Sequence, residues 1–330
     1  IHANDAPPLA DKALVAARGY GKIAPEIPHA LHMPSHIFTR LGLWKESIEW
    51  NTRAAKAAEK SMVNGKYSHH SFHSLDYMTY AYLQLGNDEK VHELLNYFDT
   101  ISLKSAISPQ TAYAFAAIPS RLPLENHDWA AAAAVPIPDT SAFPWKNFRQ
   151  YEALRYFARG IGGARSNKMA VANEAAATLE NIYTQFGDAP ENKYWKDQVN
   201  IQRIAVNAWI AFASGDKAKA LSLMKESADL EEATQKNPVS PGELLPAREL
   251  LGDMFMEMKK PAEALAEYQK SLVSRPNRFN SLYGAGLAAE EMKDLETAKN
   301  YYSQLIAMQG ETPSKRDRAL HAQEMLGPVQ

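Results

Sequence analysis

The chain has 330 residues, is 45% hydrophobic and 22% charged, and carries a net charge near −2. That balance supplies no global attraction to nucleic acid or anionic lipid, and no apolar run approaches the roughly 20 residues of a membrane-spanning helix. The absence of cysteine excludes disulfides, thiolate metal sites and a cysteine nucleophile.

The leading Ile1-His2-Ala3-Asn4-Asp5 has neither an initiator Met nor a signal peptide. The chain therefore reads as part of a longer protein, and its compartment, cytoplasmic or periplasmic, stays open. Seven of the ten histidines fall within the first 73 residues. His29, His32 and His36 stand at i, i+3 and i+7, and so do His73, Asp76 and Tyr80. At about 100° per residue, each trio occupies one stripe of a helix. Pro34 either interrupts the first stripe or starts its helix, leaving His29 and His32 in the turn before it. The pattern is not that of a zincin, because no Glu follows the first His. His70, three residues before His73, can join the second stripe, whereas His69 is expected to face solvent.

Farther along, Arg155 and Arg159 follow Glu152 on an ordinary ion-paired helix face. Gly160-Ile161-Gly162-Gly163 sits in helical register and serves close packing, so no phosphate loop is indicated. Trp44, Trp129 and Trp195 read as packing at hairpin ends. The stretch from Pro238 to Pro246 lacks helix character and is either a lid or a tight connecting loop. The clearest repeat follows. Gly252, Ala264 and Tyr268 return 34 residues later as Gly286, Ala298 and Tyr302. The small residue at the Ala264 position can be walked back through Ala220, Ala172, Ala132, Val91, Ser47 and Ala13. Ser314 to Leu326, within a closing segment 314–330, is expected to cap the open end.

A 34-residue helix–turn–helix with small residues at these positions resembles the tetratricopeptide repeat. The segment His29-Ala30-Leu31-His32-Met33-Pro34-Ser35-His36-Ile37-Phe38, with Gly42-Leu43-Trp44, resembles a group of bacterial tetratricopeptide-repeat proteins of undefined function. Pro238 to Glu249 also looks typical of that group. The resemblance implies an all-α right-handed solenoid of about eight antiparallel helix pairs over residues 1–330, each contacting mainly its neighbours.

In such a solenoid the first helix of each pair lines a concave groove. The resemblance then directs His2, His29, His32, His36, His73, Asp76 and Tyr80 into one patch, with His70 beside it. Imidazole and carboxylate suit a divalent first-row ion such as Zn, Cu, Fe or Mn. The expected ligands are His2, His32, His36, His73 and Asp76, with Tyr80 behind them. The same residues also fit a polar groove wall. Farther along, Arg121, Trp209, Glu249, Asp253 and Tyr283 are expected to face the groove, where Arg121 and Glu249 either meet a charged ligand end or form inter-repeat ion pairs. The expected function is a binding scaffold for a peptide or partner protein, with the histidine patch holding a metal; a metal-dependent enzyme or carrier is the alternative.

Overall fold

The structure, a computed structural model, describes residues 1–137, 141–187, 189–234 and 237–327. A 3-10 turn at His2–Asn4 precedes α1 (Ala10–Tyr20), α2 (Pro28–His32), α3 (Pro34–Arg40), α4 (Trp44–Glu59), α5 (His69–Gln84) and α6 (Asp88–Ser102). Then come α7 (Pro109–Glu125), α8 (Trp129–Ala133), α9 (Arg149–Arg165), α10 (Met169–Thr184), α11 (Lys193–Ala213) and α12 (Lys217–Glu232). The last are α13 (Ala247–Glu257), α14 (Pro261–Ser274), α15 (Phe279–Glu291), α16 (Leu295–Gln309) and α17 (Asp317–Leu326). The β pairing among the described residues is confined to isolated bridges, Val63 with Lys66 and Tyr67 with Ser105. The fold is all-α, and its helices are joined as helical hairpins. No helix among the described residues is long and apolar enough to cross a membrane.

One turn, repeated, makes the hairpins. Gly42, Gly86, His127, Asn167, Gly215, Lys259 and Lys293 all have positive φ, from 55° to 88°. Each is followed directly by the N-cap of the next helix. A single left-handed residue ends one helix and turns the chain into its partner. Where the cap is Asn87, Asp128, Asp216 or Asp294, its side chain accepts a backbone N–H of the new first turn. These turns lie 44, 41, 40, 48, 44 and 34 residues apart, the spacings expected from the small-residue walk. Five residues past each turn stand Ser47, Val91, Ala132, Ala172, Ala220, Ala264 and Ala298, none more than 1% exposed. Seven hairpins follow among the described residues. The eighth, expected around Ala13, is not one, because its would-be first helix is the short turn at His2–Asn4.

By packing, the chain divides into two compact units: Ile1–Ala106 with Lys236–Gly242 and Gly252–Gln330, and Ile107–Gln235 with Glu243–Leu251. In the second unit, successive helices stack as in a solenoid, α9 against α7, α8, α10 and α11, and α11 against α12. In the first, α4 packs on α2, α3 and α5, while α15 packs on α14, α16, α17 and also α5. Hairpins distant in sequence therefore meet within that unit, where only neighbours were expected to touch. Trp44 Nε1 donates to the Asn277 carbonyl at 2.8 Å, and the fully buried Arg278 donates to Tyr80 Oη at 3.1 Å. In the closing segment α17 packs on α15 and α16, and Arg316 Nε bonds Asp88 at 3.1 Å. Residues 328–330 of that segment lie outside the described residues. The repeat contacts are close: a Cβ added at Gly252 would come within 2.7 Å of the Tyr268 ring.

Candidate metal centre

Four short stretches of the first unit build the site. Between α2 and α3 only Met33 intervenes, and its φ −49°, ψ −42° is helical. The stripe therefore continues through the junction, and Pro34 takes the first position of α3, where its missing N–H is tolerated. His32 and His36 end up one turn apart, both 1% exposed. α5 brings His73, 8% exposed, and Tyr77. α4 contributes Asn51, and the turn at His2–Asn4 places His2 and Asp5.

His32, His36 and His73 each offer a ring nitrogen within 4.8 Å of the other two. The rings of His32 and His73 are centred 4.3 Å apart, and those of His32 and His36 4.8 Å apart. The nitrogens that face one another across the latter pair are His32 Nε2 and His36 Nε2, at 3.0 Å. Their protonation follows from the far sides of the rings. Asn51 Nδ2 donates to the Ser47 carbonyl at 2.7 Å, which fixes the amide and leaves Oδ1 pointing at His32 Nδ1, 2.7 Å away. His32 Nδ1 must then carry the proton. The Ser35 hydroxyl, 3.3 Å from that nitrogen, gives its own proton to the His32 carbonyl at 2.7 Å. His36 Nδ1 meets Asp5 Oδ2 at 2.9 Å, and Asp5 Oδ1 accepts from Arg40 Nε at 2.9 Å. The ionised carboxylate therefore takes the His36 Nδ1 proton. The two Nε2 atoms therefore face each other with one positive charge to share, either a proton on His36, paired with Asp5, or a metal ion.

Burial, with the neighbouring His73 and His36, holds His32 well below the ordinary histidine pKa, against a smaller upward pull from the Asn51 hydrogen bond. His32 is neutral at pH 7. A carboxylate or amide on Nδ1 with Nε2 free is the usual outer support of a metal-ligating histidine.

A second group lies on the outer side. His2, Asp5 and His36 also bring one ligating atom each within 4.8 Å. Tyr77 Oη stands 3.0 Å from His36 Nδ1 and donates to the Ser240 carbonyl at 3.0 Å. Pro238 to Gly242 is thereby held beneath the histidines as a tight loop, not a detached lid. Ser240 Oγ also accepts from Gly242 N at 3.0 Å. Toward solvent the imidazoles continue, with ring centres 6.4 Å apart for His2 and His29, 5.5 Å for His29 and His70, and 4.0 Å for His69 and His70. Partial burial lowers His70 to about 4, helped by His69 and His29, and lowers His69 in the same way. His69, expected to face solvent alone, is half-buried in this row.

The remaining expected residues lie elsewhere. Asp76 is buried, 1% exposed, but falls in neither group of converging ligand atoms, so Asp5 is the carboxylate at the site. Tyr80 is engaged by Arg278 and packs on Trp44. Tyr77 holds the place expected for it, since i+4 from His73 meets the α3 stripe where i+7 does not. Arg121, Trp209 and Glu249 are at most 2% exposed and so are not displayed as groove residues. Arg121 Nη1 donates to the Glu243 carbonyl at 3.3 Å, and the Arg165 guanidinium lies 4.1 Å from the Trp209 ring centre. Asp253 accepts from Tyr268 Oη at 2.8 Å, and Tyr283 Oη meets His321 Nδ1 at 3.2 Å. Asp5, Arg40, Asn51 and Tyr77 were not expected at the site. The available signals were the i+3 step from His2 to Asp5 and the i+4 step from His73 to Tyr77.

No protein-family model matches the sequence, and no curated protein matches it. Among solved structures, a chain of "Crystal structure of APC/C hetero-tetramer Cut9-Hcn1" aligns over 95% of this chain and 52% of its own, with 17% identity and a TM-score of 0.44. This chain spans about half the length of that one. At that score the likeness carries no argument about the site or its partners.

Proposed function

We propose that this chain is a helical-repeat binding scaffold whose first unit holds a divalent first-row metal ion on the Nε2 atoms of His32, His36 and His73. The observation that carries this reading is the 3.0 Å approach of two Nε2 atoms whose Nδ1 protons are already committed to Asn51 and Asp5. Ligands on a tetrahedral Zn²⁺ with bonds of about 2.0–2.1 Å stand about 3.3 Å apart, so the ion needs only a small opening of this pair. Three neutral imidazoles suit Zn, Cu, Fe or Ni, and no thiolate competes. Protein or peptide recognition along the repeats belongs to the same reading, since stacked hairpins present long surfaces.

A metal-dependent enzyme is the second reading, and one feature favours it. Three protein ligands leave a position open, as in catalytic rather than structural zinc sites. An ion there would activate water or polarise a carbonyl. Meanwhile Asp5 and Asn51 hold the imidazoles in their ligating tautomers, and Tyr77 Oη lies within 3.0 Å of His36.

The test is elemental analysis of untagged protein, then calorimetric titration of metal-stripped protein with Zn²⁺, Cu²⁺, Mn²⁺ and Fe²⁺ at about pH 7.5, where neutral imidazole predominates. His36→Ala and His73→Ala should each lose the ion and keep their helical content. If no ion binds wild type tighter than about 100 μM, roughly −5.5 kcal/mol, the histidines are a polar lining and the metal reading fails.

A further inference from the structure

His36 is the member common to both groups of ligand atoms. Its two nitrogens face opposite ways, Nε2 toward His32 at 3.0 Å and Nδ1 toward Asp5 Oδ2 at 2.9 Å. On the Nδ1 side the donor set is complete enough for an ion of its own: one imidazole from the exposed His2, one carboxylate oxygen from the buried Asp5, and His36 itself. The His2 and His36 rings are centred 4.6 Å apart, edge to face. Arg40 Nε bonds Oδ1 of Asp5, and Oδ2 faces His36. Tyr77 Oη, 3.0 Å from Nδ1, directs its proton to the Ser240 carbonyl and so keeps a lone pair toward the site.

We propose that His36 bridges two divalent ions as an imidazolate. One ion sits on Nε2 with His32 and His73, and the second on Nδ1 with Asp5 and His2. This rests on the three-histidine reading above and adds a second, outer ion to it. The balance is simple. The Nδ1 proton that His36 gives to Asp5 in the metal-free protein is released to solvent, and the second ion takes its place between nitrogen and carboxylate. Nothing is oxidised or reduced. The 2.9 Å separation of Nδ1 and Oδ2 needs to open to about 3.3 Å to admit an ion with bonds of about 2.0–2.1 Å. The exposed His2 is the last ligand to close, so the outer ion is the one that loads and leaves from solvent. The exposed His29, centred 6.4 Å from His2, and His70 beyond it continue the imidazole row toward the surface.

The proposal makes a magnetic prediction as well as a stoichiometric one. Two Cu²⁺ ions joined by one imidazolate couple antiferromagnetically, whereas two independent Cu²⁺ ions do not. Metal-stripped wild-type protein is dialysed against Cu²⁺, bound copper is counted, and its spin is integrated by low-temperature EPR. The expected result is two ions per chain, with well under half of the bound copper seen as spin. His2→Ala, a change at an exposed side chain that leaves the buried trio intact, should bind one ion whose full spin is seen. One ion with full spin in wild type overturns the bridge and leaves the inner site standing. Two ions with full spin in wild type, or two in His2→Ala, also overturn the bridge. No bound copper overturns both readings.

Discussion

Asn51 is the residue through which the metal reading can be tested without touching a ligand. Asn51→Leu keeps the branched heavy-atom shape of a fully buried side chain, though with larger methyl groups, and removes the acceptor that fixes the His32 proton on Nδ1. Two consequences follow. A buried imidazole N–H left without a partner costs about 1–3 kcal/mol of stability. Loss of an outer-shell partner typically weakens a metal site about 10–100-fold, equivalent to about 1.4–2.7 kcal/mol. The structure places this case at the low end, because Ser35 Oγ lies 3.3 Å from the same nitrogen and offers a poorer acceptor. The expectation is therefore about 1 kcal/mol of stability and about tenfold in affinity. Ser35→Ala alone should change the affinity less than threefold, since the Ser35 proton goes to the His32 carbonyl. The double variant should approach the hundredfold limit. Denaturant unfolding of metal-stripped protein and Zn²⁺ titration at about pH 7.5 read the two quantities separately. A clear loss of stability in Asn51→Leu with unchanged Zn²⁺ affinity, in both single and double variants, would show that His32 does not present Nε2 to an ion.

The metal-free protein should lose stability in acid. His32 is neutral when folded and its pKa is depressed, so the unfolded chain takes up a proton that the native state refuses. Stability is full above the unfolded value of about 6.5 and falls by about 1.4 kcal/mol per pH unit below it until His32 itself titrates; a flat profile from pH 7.5 to 5.5 by urea unfolding would contradict the buried neutral imidazole. Gly252→Leu drives a side chain into the Tyr268 ring and should cost at least about 1–3 kcal/mol, so an unchanged melting temperature would refute the register of the last hairpins. Lys293→Gly relieves a left-handed residue at φ 65° and should stabilise by about 0.5 kcal/mol, the strain removed minus the added chain entropy; destabilisation would mean that the Lys293 side chain contributes packing. Tyr77→Phe removes the hydroxyl bonded to Ser240 and should cost about 1 kcal/mol, with hydrogen exchange faster in the Pro238–Gly242 loop.

The hairpin register was legible because it depends on local chemistry. A small buried residue five places after each turn recurs whatever the loop length, and the irregular spacings from Gly42 to Lys293 match it turn for turn. The convergence of His32, His36 and His73 was legible for a similar reason: helical spacing on adjacent first helices. Their partners were not. Asn51 comes from a second helix of a hairpin, a face the groove argument leaves out, and Asp5 comes from a turn where a helix was expected. Asp76 falls outside the site because the α5 face turned toward α3 runs through His73 and Tyr77, and i+3 and i+4 differ by about 100° around the axis; Tyr80 shares the His73 stripe but stands two turns, about 10 Å, along it. Arg121, Trp209 and Glu249 sit at nominal groove positions yet are buried, because local period fixes which side of its helix a residue occupies and not what covers that side. The contacts of Trp44 and Tyr80 with Asn277 and Arg278 span about 200 residues of chain, a pairing that no local period encodes.

The most direct measurement of the central claim is X-ray absorption at the zinc edge of protein loaded with one equivalent of Zn²⁺. Three imidazoles in the first shell, with Zn–N near 2.0–2.1 Å, are the result expected for wild type. His73→Ala should lose the ion. A first shell made mainly of oxygen, or one with no more than a single imidazole, would contradict a centre built on His32, His36 and His73.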